Sequence, residues 1–217
     1  MEGSAFCKKG LIARIKAWFR IVEQAHQNVQ KTSLTSRTAG CTRLISWIPP
    51  DEGWIQLQTD GSVVTSTGKA AAGGLFRNNL GQCKGAFVCN LGSCSITAAE
   101  LKGALEGLKI AWQRGYRRIQ LNLDSLTALE IIKQRQNDNH RHGSLAKQFS
   151  YLLNLDWEVT VSHVYREANC AADFLANKAH DFDFGTHPFN VCDVDLVQWL
   201  RHDVMGISHE RFTTNVI

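Results

Sequence analysis

The chain has 217 residues, 44% of them hydrophobic and 20% charged, with a formal net charge of +4. That composition is ordinary for a soluble protein with a real core, and the length suits one globular domain with flanking segments. No apolar run approaches membrane-spanning length and no signal-peptide core precedes a small-residue cleavage site, so the expectation is an intracellular protein, nuclear or cytoplasmic, without a membrane partner.

The seven cysteines form no CxxC pair and are odd in number, which argues against a disulfide framework or a structural zinc site. Charge is uneven. Met1 to Pro50 carries eight Lys or Arg against two acidic residues, and Asp181 to the end carries two basic against six acidic. A solvated helix face accounts for the basic flank as simply as a phosphate-seeking one.

In chain order, Leu11, Ile12, Ile15, Trp18, Phe19, Val22 and Val29 recur at helical spacing and predict an amphipathic helix. "QKTSLTSRTAG" reads as linker, and "WIPPDEGW" punctuates the chain with Pro49, Pro50 and a turn. Residues 1–47 are thus read as a basic helix and linker, 48–182 as the domain, and 183–217 as an acidic tail. Within the domain, "WIQLQTDG", "AAAGGLFRN" and "CKGAFVCNL" predict three strands. "SITAAELKGALEGLKIAWQRG" predicts a long helix, with Leu101, Leu105, Leu108 and Trp112 on one face. A strand "RRIQLNLD", helices "SLTALEIIKQR" and "SLAKQFSYLLN", a strand "WEVTVSHV" and a helix "CAADFLANKAHDF" complete the order. Three successive strands suit an antiparallel meander; the later alternation of strand and helix suits parallel additions.

Two of these strands end on aspartates, Asp60 and Asp124. In open α/β sheets, sites form beyond the carboxyl ends of parallel strands. Glu100 opens the long helix and Asp173 stands near the start of the last one, so four acidic residues can meet at one sheet end. Packed together they would repel one another and raise each other's pKa values, and a hard divalent cation is the natural counter-charge. Each has a plainer reading too. Asp60-Gly61 is a hairpin dipeptide, Asp124 an N-cap, Glu100 a helix-start charge and Asp173 a solvated helix residue.

Taken together and in order, "LQTDGS", "GGLFRNNLGQ", "AAELKGALEGL", "LNLDSLTALEII" and "SHVYREANCAADFLA" resemble the type 1 ribonuclease H domain. More narrowly, they are similar to the version in plant non-LTR retrotransposons and host proteins derived from them, where W-x-P-P-x-x-G-W introduces the domain as Trp47 to Trp54 does here. The resemblance covers Ile48 to Asp181. It implies an α/β ribonuclease H-like fold: a five-stranded mixed sheet with helices on both faces.

The resemblance further implies magnesium-dependent hydrolysis of the RNA strand of RNA–DNA hybrids, with two ions (manganese being the substitute) and a monomeric protein. Its four carboxylate ligands fall on Asp60, Glu100, Asp124 and Asp173, and its loop histidine, ten positions before the last aspartate, on His163. Gly61, Ser62, Ser95, Thr97 and Asn169 match its substrate-contacting positions. Many relatives carry polar amides just before the glutamate, where this chain has Ile96 and Thr97. A nucleic-acid-binding domain that keeps the fold, cuts weakly or not at all and serves as a host protein is the alternative expectation.

Overall fold

A computed structural model of the chain describes residues 41–134, 142–190 and 194–213. The helix expected over Leu11 to Val29 lies outside the described residues. Among the described residues, eight strands and five α-helices follow in chain order. The strands are β1 (Cys41–Ile45), β2 (Ile55–Val64), β3 (Lys69–Arg77), β4 (Cys83–Ser93), β5 (Arg118–Leu123), β6 (Glu158–His163), β7 (Gly185–Phe189) and β8 (His209–Thr213). The helices are α1 (Ile96–Gln113), α2 (Leu126–Gln134), α3 (Gly143–Leu153), α4 (Cys170–Lys178) and α5 (Val194–Val204).

The main sheet runs β6-β5-β2-β3-β4-β7. β2, β3 and β4 form the expected antiparallel meander, and β5 and β6 join parallel to β2. These are the five strands implied by the resemblance. A sixth, β7, adds antiparallel to β4 at the edge, where Pro188 is tolerated.

Strand alternation separates two apolar layers. Leu57, Phe76 and Phe87 point to a core shared with Leu101, Leu105 and Leu108 of α1 and with Phe149 and Leu152 of α3. Ala71, Leu75, Ala86 and Val88 point the other way, onto Ala172 and Leu175 of α4 and Leu196 of α5. Helix α4 sits close because β3 offers Gly73, where an added Cβ would lie 2.4 Å from the backbone of Leu175 and Ala176. That contact fixes the depth at which α4 presents its first turn.

Beyond Asp183, the described part of the segment read as a tail carries β7, α5 and β8. It packs on the domain: Leu196 is fully buried, and β8 pairs with β1 as a small second sheet. Asp203 of α5 meets Arg77 of β3 at 2.6 Å, with the Arg77 side chain 1% exposed. Trp47 covers that guanidinium, its ring centroid 3.9 Å from the guanidinium carbon. The first tryptophan of "WIPPDEGW" is therefore a lid over a buried cation. Cys83 is disulfide-bonded, whereas Cys89, Cys94 and Cys170 are free. Among the described residues, no helix is long and apolar enough to cross a membrane.

Candidate functional site

Register places the acidic residues before any side chain is considered. β2 and β5 are parallel, with Gln58 level with Asn122, so two residues further on Asp60 and Asp124 stand at one height. Asp124 follows directly on β5, whereas β2 runs on to Val64 paired with β3, so Asp60 lies within its strand and not, as expected, at its end. β5 and β6 are parallel with Leu123 level with His163, which sets His163 beside Asp124. Helix α1 then starts over β2. Ser95 caps it, its Oγ accepting from the Ala98 amide at 3.3 Å, so Glu100 falls in the opening turns.

Carboxylate oxygens of Asp60, Glu100 and Asp124 lie within 4.8 Å of one another. Asp60 and Glu100 are buried, and Asp124 is half-buried. Burial is the first cause that lifts Asp60 to about 9, followed by the charges of Glu100, Asp124 and Asp173. Burial and then Asp124 lift Glu100 to about 8. Asp124 is raised by burial, with Arg166 opposing.

Asp173, at the start of α4, stands outside this trio. Its charge helps to raise the pKa of Asp60, while Arg166 Nη2 donates to its Oδ1 at 2.9 Å and Asn177 Nδ2 to its Oδ2 at 3.2 Å. His163 Nε2 lies 3.1 Å from the Asp124 carbonyl oxygen, and its ring meets Tyr165 edge-on.

These donors suit a hard cation. Glu100 Oε2 and Asp124 Oδ1 are buried with no hydrogen-bond partner, and every ligand atom offered is oxygen. A buried carboxylate oxygen left unpaired is costly, and a divalent ion would satisfy both at once.

The expected substrate-contacting residues divide. Ser62 donates to Asn177 Oδ1 at 2.7 Å and lies 3.1 Å from His180 Nε2, near the Asp173 side of the site. Ser95 is exposed at the helix cap and Thr97 half-buried in the first turn, with Ile96 half-exposed between them. Asn169 and Gly61 also have packing roles. Asn169 is 1% exposed, and its Nδ2 donates to the Thr59 carbonyl at 3.1 Å, so it ties the α4 start to the strand beside Asp60.

Gly61 lies where β2 meets α1: an added Cβ would stand 2.6 Å from the Glu100 amide nitrogen. It is the close approach that lets Glu100 reach Asp60. Gly61→Ala is expected to push α1 outward, costing about 1–3 kcal/mol by overpacking. Thermal unfolding and magnesium titration check this, and unchanged values in both would show that α1 yields freely.

Arg166 escaped sequence reasoning. One cue was available: a lone basic residue in "SHVYREANCAAD", between His163 and Asp173, where four carboxylates need counter-charge.

Residues 58–179 match the family model described as "Reverse transcriptase-like". The chain is 35% identical over 197 residues to an Arabidopsis thaliana protein named "Putative ribonuclease H protein", an alignment that covers 91% of this chain and spans only 32% of that relative's length. Among solved structures it is similar to RNase H1 from the halophilic archaeon Halobacterium salinarum, with TM-score 0.55 and 24% identity over 59% of this chain and 98% of that one. An N-terminal RNase H domain from Mycobacterium tuberculosis gives TM-score 0.54 and 24% identity over 59% and 94%. LC11-RNase H1 in complex with an RNA/DNA hybrid gives TM-score 0.51 and 19% identity over 58% and 96%. At these identities the structural likeness is one of fold.

Proposed function

Since this chain belongs to the reverse transcriptase-like family and carries a ribonuclease H domain, we propose that it hydrolyses the RNA strand of RNA–DNA hybrids, using divalent ions held by Asp60, Glu100, Asp124 and Asp173. The observation that carries this reading is the convergence of three carboxylates within 4.8 Å, two of their oxygens buried without a partner. Two magnesium ions, when bound, would supply the charge that polarises the scissile phosphate and favours a deprotonated water nucleophile at neutral pH.

The chain's own residues hold and orient. Asp60, central in the cluster, would help hold both ions; Asp173 would help hold the one that activates the attacking water, and Glu100 with Asp124 the one that stabilises the leaving 3′-oxygen. Arg166 pairs with Asp173 at 2.9 Å and holds that carboxylate in place. Asn169 and Gly61 set the depth of α4 and α1 so that helix-borne and strand-borne carboxylates meet. His163 stands beside Asp124, where an imidazole can serve as a proton donor or acceptor. Ser62, Ser95 and Thr97 are the polar groups at the rim that can meet backbone phosphates or 2′-hydroxyls of an A-like groove. The neighbour solved with an RNA/DNA hybrid supports that substrate class. A retroelement origin accords with the family's description.

A nucleic-acid-binding domain that cuts weakly or not at all is the second reading. The Ile96 side chain, 50% exposed at the α1 start, offers no hydrogen bond where many relatives carry an amide, which loosens the grip on a hybrid's groove.

Single-turnover cleavage of a labelled hybrid in magnesium tests the first reading. Wild type is expected to shorten the RNA strand. His163→Ala is expected to be slower by about a hundred- to ten-thousandfold, the range of a lost acid–base group, with the carboxylate cluster intact. Absence of cleavage by the wild type in magnesium or manganese would leave the binding reading in possession; an unchanged rate in His163→Ala would remove that residue from the chemistry.

A further inference from the structure

The stretch between β6 and α4 carries Arg166 and spans the distance from His163 to Asp173. It contains only one 3-10 turn, Arg166–Ala168. Such a segment needs outside supports to hold a reacting group in one place. One support is central: Gln58 Nε2 donates to the Ala168 carbonyl at 2.7 Å.

Another comes from the far end of the described chain. Arg211 of β8 directs Nη1 to both carboxylate oxygens of Glu167, at 3.1 and 3.0 Å. Its guanidinium carbon lies 4.6 Å from the centroid of the Tyr165 ring. The Tyr165 ring in turn meets the His163 ring edge-on, with centroids 5.5 Å apart and planes at 85°. A continuous set of contacts therefore runs from β8 to the imidazole.

We propose that Arg211 is a positioning residue, which holds Tyr165 and Glu167 and through them fixes the orientation of the His163 ring and the path of the Arg166 segment. This rests on the ribonuclease reading given above for its kinetic consequence, but not for its geometry. The ion pair by itself contributes little, because the Arg211 side chain is 39% exposed and the Glu167 side chain 26% exposed. The combination is what matters. A planar guanidinium satisfies a carboxylate at its edge while stacking on an aromatic face, which fixes two neighbouring residues relative to each other. Lysine keeps the charge and loses the plane. β8 is itself held by its antiparallel pairing with β1, where Arg211 is level with Arg43, so the support is a built element of the fold.

The test uses Arg211→Ala, Arg211→Lys and Glu167→Gln in the full chain, with two readouts. The first is the His163 ring resonance in the ion-free protein, assigned by its loss in His163→Ala. It is expected to shift in Arg211→Ala and Glu167→Gln as the ring leaves its place beside Tyr165, while the His187 resonance holds; Arg211→Lys is expected to shift it less. The second is single-turnover cleavage with hybrid binding measured separately in calcium. Arg211→Ala is expected to be slower by about tenfold, short of the hundredfold that a 1 Å misplacement can cost, with unchanged hybrid affinity. It is expected to add nothing in a His163→Ala background. If the His163 resonance stays put in the folded variants, or the Arg211→Ala loss multiplies fully with that of His163→Ala, the proposal is overturned. Should wild type fail to cut, the ribonuclease reading falls, and the resonance still decides whether Arg211 positions His163. Glu167→Gln keeps the test decisive should Arg211→Ala fail to fold.

Discussion

Asp60→Asn is expected to abolish cleavage and, in the same preparation, to raise the melting temperature of the ion-free protein at about pH 8. The two effects have one cause. Asp60 is buried among Glu100, Asp124 and Asp173, and its pKa rises from 3.8 to about 9. An acid whose folded pKa lies above its unfolded one binds a proton in the native state that the unfolded chain has released. Stability therefore falls as pH rises through the window from about 4 to about 9. Asparagine fills the same space with no charge, so its advantage over aspartate grows across that window. Each kcal/mol of relieved repulsion is worth about 2–4 °C in a chain of this size.

Magnesium is expected to reverse the ranking. An ion that binds only the folded state would stabilise wild type by mass action, whereas the Asp60→Asn variant would lack the carboxylate we assign as its central ligand. The measurement is thermal unfolding of both proteins in chelator and in magnesium, beside the cleavage assay. An Asp60→Asn protein that melts lower than wild type in chelator would show that the carboxylates are not under mutual repulsion.

Asp203→Ala is expected to be the most destabilising single substitution outside the apolar core. Arg77 is wholly buried, and burial pulls its pKa down to about 10 against the opposing Asp203 charge. Its partners are Asp203 at 2.6 Å, Gln58 through Nη2, and the Trp47 ring. Taking away the carboxylate leaves a buried guanidinium without its counter-charge, a loss of about 3–5 kcal/mol. That corresponds to a fall of about 6–20 °C in melting temperature.

Because Gln58 also donates to the Ala168 carbonyl, the damage should spread toward the segment that carries Arg166. Replacing both partners by apolar residues, Arg77→Met with Asp203→Leu, is expected to recover most of the stability. If Asp203→Ala melts within a degree or two of wild type, water reaches Arg77 and the pair is not a structural element. A chain cut after Asp183 lacks Asp203, Leu196 and β8 together and is expected to aggregate.

The contrast between Asp60 and Arg77 shows what was legible beforehand. Asp60 and Asp124 each end a hydrophobic alternation, and a period of two residues is a local signal. Parallel pairing of two such strands brings the carboxylates level without any knowledge of the side-chain contacts. The strands and helices between Trp54 and Phe182 were legible for the same reason.

Arg77 looks from the sequence like the charged last residue of "AAAGGLFRN", and only a partner 126 positions away makes it a core residue. β1 and β8 were missed on the same grounds. "CTRLI" and "HERFT" have little alternation, and each is a strand because the other pairs with it from the opposite end of the described chain. Asn169 and Gly61 matched a substrate-contacting pattern, yet their surroundings are backbone: the Thr59 carbonyl for one and the Glu100 amide for the other. Residue identity said that those positions matter; only packing says for what.

The central claim is that this acidic cluster cuts RNA paired to DNA, and a strand-resolved cleavage assay tests it most directly. The hybrid carries different labels on its two strands and is compared with DNA duplex, in magnesium and in chelator. The account predicts that only the RNA strand of the hybrid shortens, only with magnesium present, leaving 3′-hydroxyl and 5′-phosphate ends, and that Asp60→Asn does nothing. Cleavage that persists in chelator, cleavage of the DNA strand at a comparable rate, or undiminished cutting by Asp60→Asn would contradict it.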